Sequence, residues 1–222
     1  MKINEITLLS KNTQKLKTFY HSILELPIIE TSKGFTVILR HSKINFIIDK
    51  EAKPYHFAIT IPANKIIESL QWLKQKVQIL KDGANEIIDF PAWNAESVYF
   101  YDADKNIVEF ISRKSLDNSS TELFSSEDLL NVSEMGLATE NFESTRNLLI
   151  SRLDLKDYGF RSDTFNALGD ENGLIILINK DQKKWIPTND KAFASPFIAE
   201  IENMKNRYQL EFRNERLHIT ES

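Results

Sequence analysis

The chain has 222 residues, room for one large domain or two small ones, and its 41% hydrophobic and 27% charged residues match a soluble globular protein. The net charge of -4 comes with no block of Lys or Arg, which removes the electrostatic footprint of a nucleic-acid binder. Without cysteine there are no disulfides or thiolate metal sites. The opening MKINEITLLSK lacks the apolar core of a signal peptide, and no later run is long enough to span a bilayer, so a cytoplasmic location is expected.

Residues 5–9 read as a strand. Asn12 or Thr13 can cap the helix that follows, whose apolar face is Leu16, Phe19, Tyr20, Ile23 and Leu24, and Pro27 ends it. Short strand-like runs come next at 28–30, 35–39 and 44–48, completing the order β-α-β-β-β. The same order restarts at Tyr55. Residues 56–60 read as a strand, and Asn64 can cap a helix with the face Ile66, Ile67, Leu70, Leu73 and Val77. Asp82-Gly83 breaks that helix, and strands are expected over 86–90, 97–102 and 106–112.

Residues 115–126 are polar and Ser-rich, the best linker candidate. A third copy begins near Val132. There Ser133-Glu134-Met135-Gly136-Leu137 aligns with Asn4-Glu5-Ile6-Thr7-Leu8, and 174–177 aligns with 44–47. A fourth start, 196–200, opens an incomplete copy. One residue breaks the pattern of the second copy. Glu109 lies inside Ile107-Val108-Glu109-Phe110-Ile111, where each neighbour favours burial.

The module order, and above all SVYFYDADKNIVEFISR, resembles the vicinal-oxygen-chelate superfamily of glyoxalases, extradiol dioxygenases, fosfomycin-resistance enzymes and bleomycin-binding proteins. The stretch is similar to that family's Tyr-Phe strand, Asp-Pro-x-Gly-Asn turn and apolar strand carrying Glu. Ala103 and Lys105 replace the Pro and Gly, leaving Asp104 or Asn106 to supply a positive φ. GDENGLIILINKDQKKWIPT is similar to a glyoxalase-like subgroup. The resemblance implies an α+β fold of repeated βαβββ modules. Two of them pair into a cup-shaped open barrel over residues 1–113, a linker follows at 114–129, and a degenerate domain of one module plus partial strands fills 130–222.

In such a cup, metal ligands project from the first and last strands of each module. Carried onto this chain, the inward positions are Glu5, Asn45, His56 and Glu109. Glu5, His56 and Glu109 are the implied metal ligands, with Glu5 and Glu109 as catalytic carboxylates. One His with two carboxylates suits Mn²⁺ or Fe²⁺ ahead of Zn²⁺, and departs from the two-His, one-carboxylate triad of oxygen-activating iron enzymes. The third copy offers a control. Glu134 takes the place of Glu5, but Ile175 takes that of Asn45, so a Glu at the first position is compatible with a purely structural role. A structural role is favoured for Asn45.

Tyr55, Trp93, Tyr99 and Tyr101 cluster in sequence near these positions. They form either a pocket for a ring-bearing substrate or ordinary core. Trp185-Ile186-Pro187 either closes over a cleft or plugs an apolar edge, and the plug is favoured. His21, His41 and His218 read as surface residues. No phosphate loop, nucleophile elbow or dinucleotide fingerprint occurs.

Two functions fit. One is a metal-dependent enzyme acting on a small oxygen-chelating substrate, by glyoxalase-like lyase or isomerase chemistry or by extradiol ring cleavage. The other is a metal-free small-molecule binding protein of the bleomycin-resistance type. The last module is expected to cover the cup or to support a homodimer. Nucleic-acid and membrane partners are not expected.

Overall fold

The computed structural model describes residues 1–221. Module one is β1 (Lys2–Ser10), α1 (Thr13–Thr18), β2 (Ile28–Thr31), β3 (Gly34–Ile38) and β4 (Lys43–Ile48). The α1 helix starts where the Asn12 side chain accepts from Lys15 N at 3.0 Å. Its end widens into a π turn, with Leu24 N donating to Phe19 O at 3.0 Å. Module two is β5 (His56–Ile61), α2 (Ile66–Lys74), the short β6 (Ile79–Leu80) and β7 (Ile88–Phe90), then β8 (Ala95–Tyr101) and β9 (Ile107–Arg113). The positive φ of the tight turn before β9 falls on Lys105, at 66°, rather than on Asp104 or Asn106. Asp102 steadies this turn, accepting from the backbone N–H of Asp104 and Asn106.

Module three is β10 (Asn131–Thr139), α3 (Phe142–Leu153), β11 (Asp157–Ser162), β12 (Phe165–Asp170) and β13 (Gly173–Asn179). A small hairpin, β14 (Lys184–Trp185) and β15 (Asp190–Lys191), leads to β16 (Phe197–Asn203), β17 (Asn206–Arg213) and β18 (Arg216–Glu221). This last set is a module without its helix. The α+β class and the repeated modules thus hold.

The pairing of modules differs from the expectation. In each complete module the first strand lies parallel to the last: β1 on β4, β5 on β9, β10 on β13. The other edge of each first strand is free to take a partner. β5 pairs antiparallel with β10, and β1 with β16. Module two therefore joins module three in a nine-stranded sheet, and module one joins module four in a seven-stranded sheet. Residues 1–113 do not form the paired unit. The reason is physical: every first strand presents an equivalent free edge, so the repeat alone does not say which edges meet.

Residues 114–129 are an ordered strap rather than a loose linker. Asn64, which does not cap α2, exchanges hydrogen bonds with the backbone of Ser120 at 2.9 and 3.0 Å. Phe124 meets the Trp72 ring edge-on at 5.6 Å between centroids.

One apolar layer joins the sheets. In the π turn after α1, Phe19 and Tyr20 stack on Phe100 of the nine-stranded sheet and Phe46 of the seven-stranded one, respectively. Strand alternation sorts the other face. On β9, Val108 and Phe110 enter this common core, while Ile107, Glu109, Ile111 and Arg113 face the opposite side. At the far ends of the nine-stranded sheet, Trp93 and Tyr158 approach to 5.4 Å between ring centroids. Gly159 (φ 74°) lies under Trp93, where an added Cβ would stand 2.4 Å from the indole nitrogen. No helix of the described residues is long and apolar enough to cross a membrane.

Candidate metal centre

His56 from β5, Glu109 from β9 and Glu134 from β10 converge on the face turned away from the common core. One ligand-capable atom from each lies within 4.8 Å of the others, and all three residues are buried. The ladders explain the convergence. Ala58 stands beside Glu109 and also beside Glu134, which puts His56, two residues earlier on β5, on the same face.

Each side chain is held on one side and free on the other. His56 Nδ1–H donates to Ile107 O at 3.2 Å, which leaves the Nε2 lone pair facing Glu109 Oε2 at 3.5 Å. Burial pushes the His56 pKa down and favours the neutral ring. Glu109 Oε1 accepts from Ser97 Oγ at 2.5 Å, with the Tyr99 hydroxyl as a second donor. Burial raises the Glu109 pKa, and these donors oppose the rise. Glu134 Oε1 accepts from the Arg113 guanidinium. Its pKa is pushed up to about 7, first by burial and then by the Glu109 charge, against the pull of Arg113 and His56.

Such a donor set fits a divalent ion. The neutral imidazole offers one nitrogen, and each carboxylate has one oxygen occupied and one to spare. Ile176 stands beside Gly136 as Glu109 stands beside Ala58, so it fills the fourth inward position. The apolar residue there is Ile176, not Ile175, whose side chain enters the common core. Beside the cluster lies a cavity of about 360 Å³ whose apolar walls include Phe90, Trp93, Phe165, Ile178 and Trp185. The Trp185 ring sits 4.9 Å from the His56 ring and occupies the room that Gly136 leaves; an added Cβ on Gly136 would be 2.9 Å from the indole. Trp185 is thus a wall of the cavity.

Of the residues expected at the site, His56, Glu109, Trp93 and Tyr99 come together here. Glu5 and Asn45 do not. They lie on the seven-stranded sheet, where Asn45 Nδ2 donates to Glu5 Oε1 at 2.6 Å and Thr36 Oγ1 donates to Asn45 Oδ1 at 2.6 Å. The Tyr55 hydroxyl donates to Pro196 O and accepts from Leu9 N, tying the modules together away from the cluster. The Tyr101 hydroxyl donates to Asp190. His21, His41 and His218 are exposed.

Glu134 and Arg113 escaped the sequence reading. Glu134 had been aligned with Glu5, and only the choice of module pair hid it. Arg113 follows Glu109 and Ile111 at the strand period of two, which was the available signal.

No family model matches the chain, and no curated protein matches it. Solved structures do. A candidate dioxygenase from Bacillus subtilis subsp. subtilis str. 168 aligns over 100% of this chain and 84% of its own, with a TM-score of 0.66 at 13% identity. The chain has the vicinal-oxygen-chelate fold. Shorter matches include lactoylglutathione lyase from Agrobacterium tumefaciens (15% identity, 52% of this chain, 96% of that one, TM-score 0.43). Another is the fosfomycin-resistance protein FosX from Listeria monocytogenes (19% identity, 50% and 93%, TM-score 0.41). In a vicinal-oxygen-chelate fold the first and last strands of paired modules face one another, and three of the four such positions here carry His56, Glu109 and Glu134.

Proposed function

We propose that the chain is a metal-dependent enzyme acting on a small substrate with two neighbouring oxygens. His56 Nε2 and one free oxygen each from Glu109 and Glu134 would hold the ion. The observation that carries this reading is the buried convergence of one imidazole and two carboxylates beside an apolar cavity. Burying two carboxylates this close together is costly unless cations compensate them, and Arg113 reaches only one of them. One His and two carboxylates favour Mn²⁺ or Fe²⁺ ahead of Zn²⁺. Such an ion supplies Lewis acidity to oxygens bound beside it.

The protein residues have distinct tasks. Ser97 and Tyr99 orient Glu109, Ile107 O fixes the His56 tautomer, and Arg113 steers Glu134. The same oxygens of Glu109 and Glu134 face one space, so whichever carboxylate is not held by the ion would be a base within reach of a proton leaving a substrate carbon there. Isomerase or lyase chemistry by proton transfer suits this set better than ring cleavage, which would call for a second His.

A second reading has its own support. Arg113 neutralises Glu134 without any ion, as a metal-free binding protein would need. Titration of chelator-treated protein with Mn²⁺ separates the two. Stoichiometric uptake lost in Glu109→Gln supports the enzyme; no uptake by the unaltered protein removes it.

A further inference from the structure

The cavity has a charged mouth that metal binding does not use. The segment 183–186, just past β13, supplies the Trp185 wall, the Ile186 rim and two lysines, Lys183 and Lys184. Lys183 Nζ lies 5.4 Å from the centroid of the Phe165 ring, which also lines the cavity. Its stem is therefore laid along the apolar wall, with the ammonium at the edge. Nearby Lys180 is paired with Glu140, Asp181 and Glu215. Lys183 and Lys184, in contrast, have no carboxylate partner among the described residues. Two of the chain's large exposed apolar side chains, Phe160 (70% exposed) and Ile186 (50%), stand at the same mouth. Exposed Asp89 on β7 also lines the cavity.

We infer that this cavity takes a ligand with a flat, ring-bearing body and an anionic group at its outer end, held by Lys183. The inference rests on the reading of this cavity as the substrate site, and it adds the ligand's charge and orientation. The body displaces water from Phe90, Trp93 and Phe165 and covers the exposed rim. The anionic end cannot point inward in the metal-free protein, because Glu109 and Glu134 repel it there. It turns instead to the unpaired ammonium at the mouth. Asp89 disfavours a second anionic group beside it.

Three probes of one shape test this: 2-naphthoate, 2-naphthalenemethanol and 2-naphthalenemethylamine. Each is titrated calorimetrically into chelator-treated protein at low salt, so that no metal can hold the carboxylate. The acid is expected to bind about 10-fold more tightly than the alcohol, the gain of one charge-assisted contact. Lys183→Gln should remove the advantage of the acid over the alcohol, both measured on the variant. Lys184→Gln should have the smaller effect. Equal binding of acid and alcohol, a preference for the amine, no binding of any probe, or an acid preference that survives Lys183→Gln would each overturn the inference. Mn²⁺ uptake is read separately. Uptake without an acid preference defeats this inference alone, and an acid preference without uptake defeats the metal reading alone.

Discussion

The two sheets use one module plan to opposite ends. Glu134 in the nine-stranded sheet and Glu5 in the seven-stranded one open their modules at matching positions. Glu134 is buried against Arg113, Glu109 and His56. Glu5 is half-buried and bonded to Asn45, with exposed Glu200 beside it on β16. The difference lies in the partner module. Module three brings a complete sheet, and Tyr158 of its outer strand β11 reaches Trp93 beside the cluster. Module four brings only three strands, and Glu5 stays half-buried beside them. A carboxylate at this position becomes reactive only where the partner removes water and supplies a cation.

The sharpest way to break the comparison is to remove one ligand from each sheet. Glu109→Gln or His56→Ala should weaken Mn²⁺ binding by more than the ~10–100-fold typical of losing an outer-shell partner. Glu5→Gln should leave it unchanged. Equal losses in both sheets, read by calorimetry on chelator-treated proteins, would mean that the nine-stranded sheet is not where the ion goes.

Arg113 separates the sheets next. Replacing it with Met strands a buried carboxylate, and breaking such a pair costs about 3–5 kcal/mol. Urea midpoints should fall accordingly, and Glu134→Gln added to Arg113→Met should recover part of the loss. Mn²⁺ should protect Arg113→Met more than the parent protein, since the ion then supplies the missing positive charge.

The same contrast has a pH signature in metal-free protein. Glu134 titrates near 7 when folded, above the ordinary carboxyl value of 4.5, so the folded state binds its proton more tightly than the unfolded chain. That contribution is fully present below about pH 4.5 and is lost as pH rises to about 7, a matter of a few kcal/mol. Buried Asp102, raised to about 6, acts in the same direction. His56, with its pKa lowered, acts oppositely, gaining stability as pH rises through its unfolded value. Denaturation at pH 5 and pH 8 should therefore show a slope that Glu134→Gln reduces without abolishing. Glu5→Gln should not alter it.

Much of this contrast was readable before any coordinates. Periodicity placed the helices and most strands, and Glu109 among apolar neighbours pointed to a polar site on that strand's face. His56 at a module start was likewise visible. The pairing of modules was not, because free strand edges carry no address in their hydrophobic pattern. That one choice moved Glu5 out and Glu134 in. The strap 114–129 looked like a linker because its Ser and Asn side chains are polar, yet Asn118 Oδ1 accepts from Ala63 N and the Ser120 backbone is held by the Asn64 side chain just before α2. Arg113 closes a strand and received no role from the sequence, although its alternation with Glu109 aims it inward.

The smallest effect tests the quiet sheet directly. Asn45 donates to Glu5 and Thr7 and accepts from Thr36, a network of neutral or half-exposed groups in contact with water. Asn45→Ala should cost only about 0.5–1.5 kcal/mol, the net value of an ordinary hydrogen bond. Gly136→Ala, at the counterpart of Thr7 in the other sheet, would push a methyl against the Trp185 ring and His56 O. Overpacking of that kind costs about 1–3 kcal/mol, and it should also disturb metal binding by shifting His56. If Asn45→Ala proved the more damaging of the two by urea denaturation, the seven-stranded sheet would be holding a buried polar network after all. The division of labour between the sheets would then fail, because it requires that water reach the face carrying Glu5 and be kept from the face carrying Glu134.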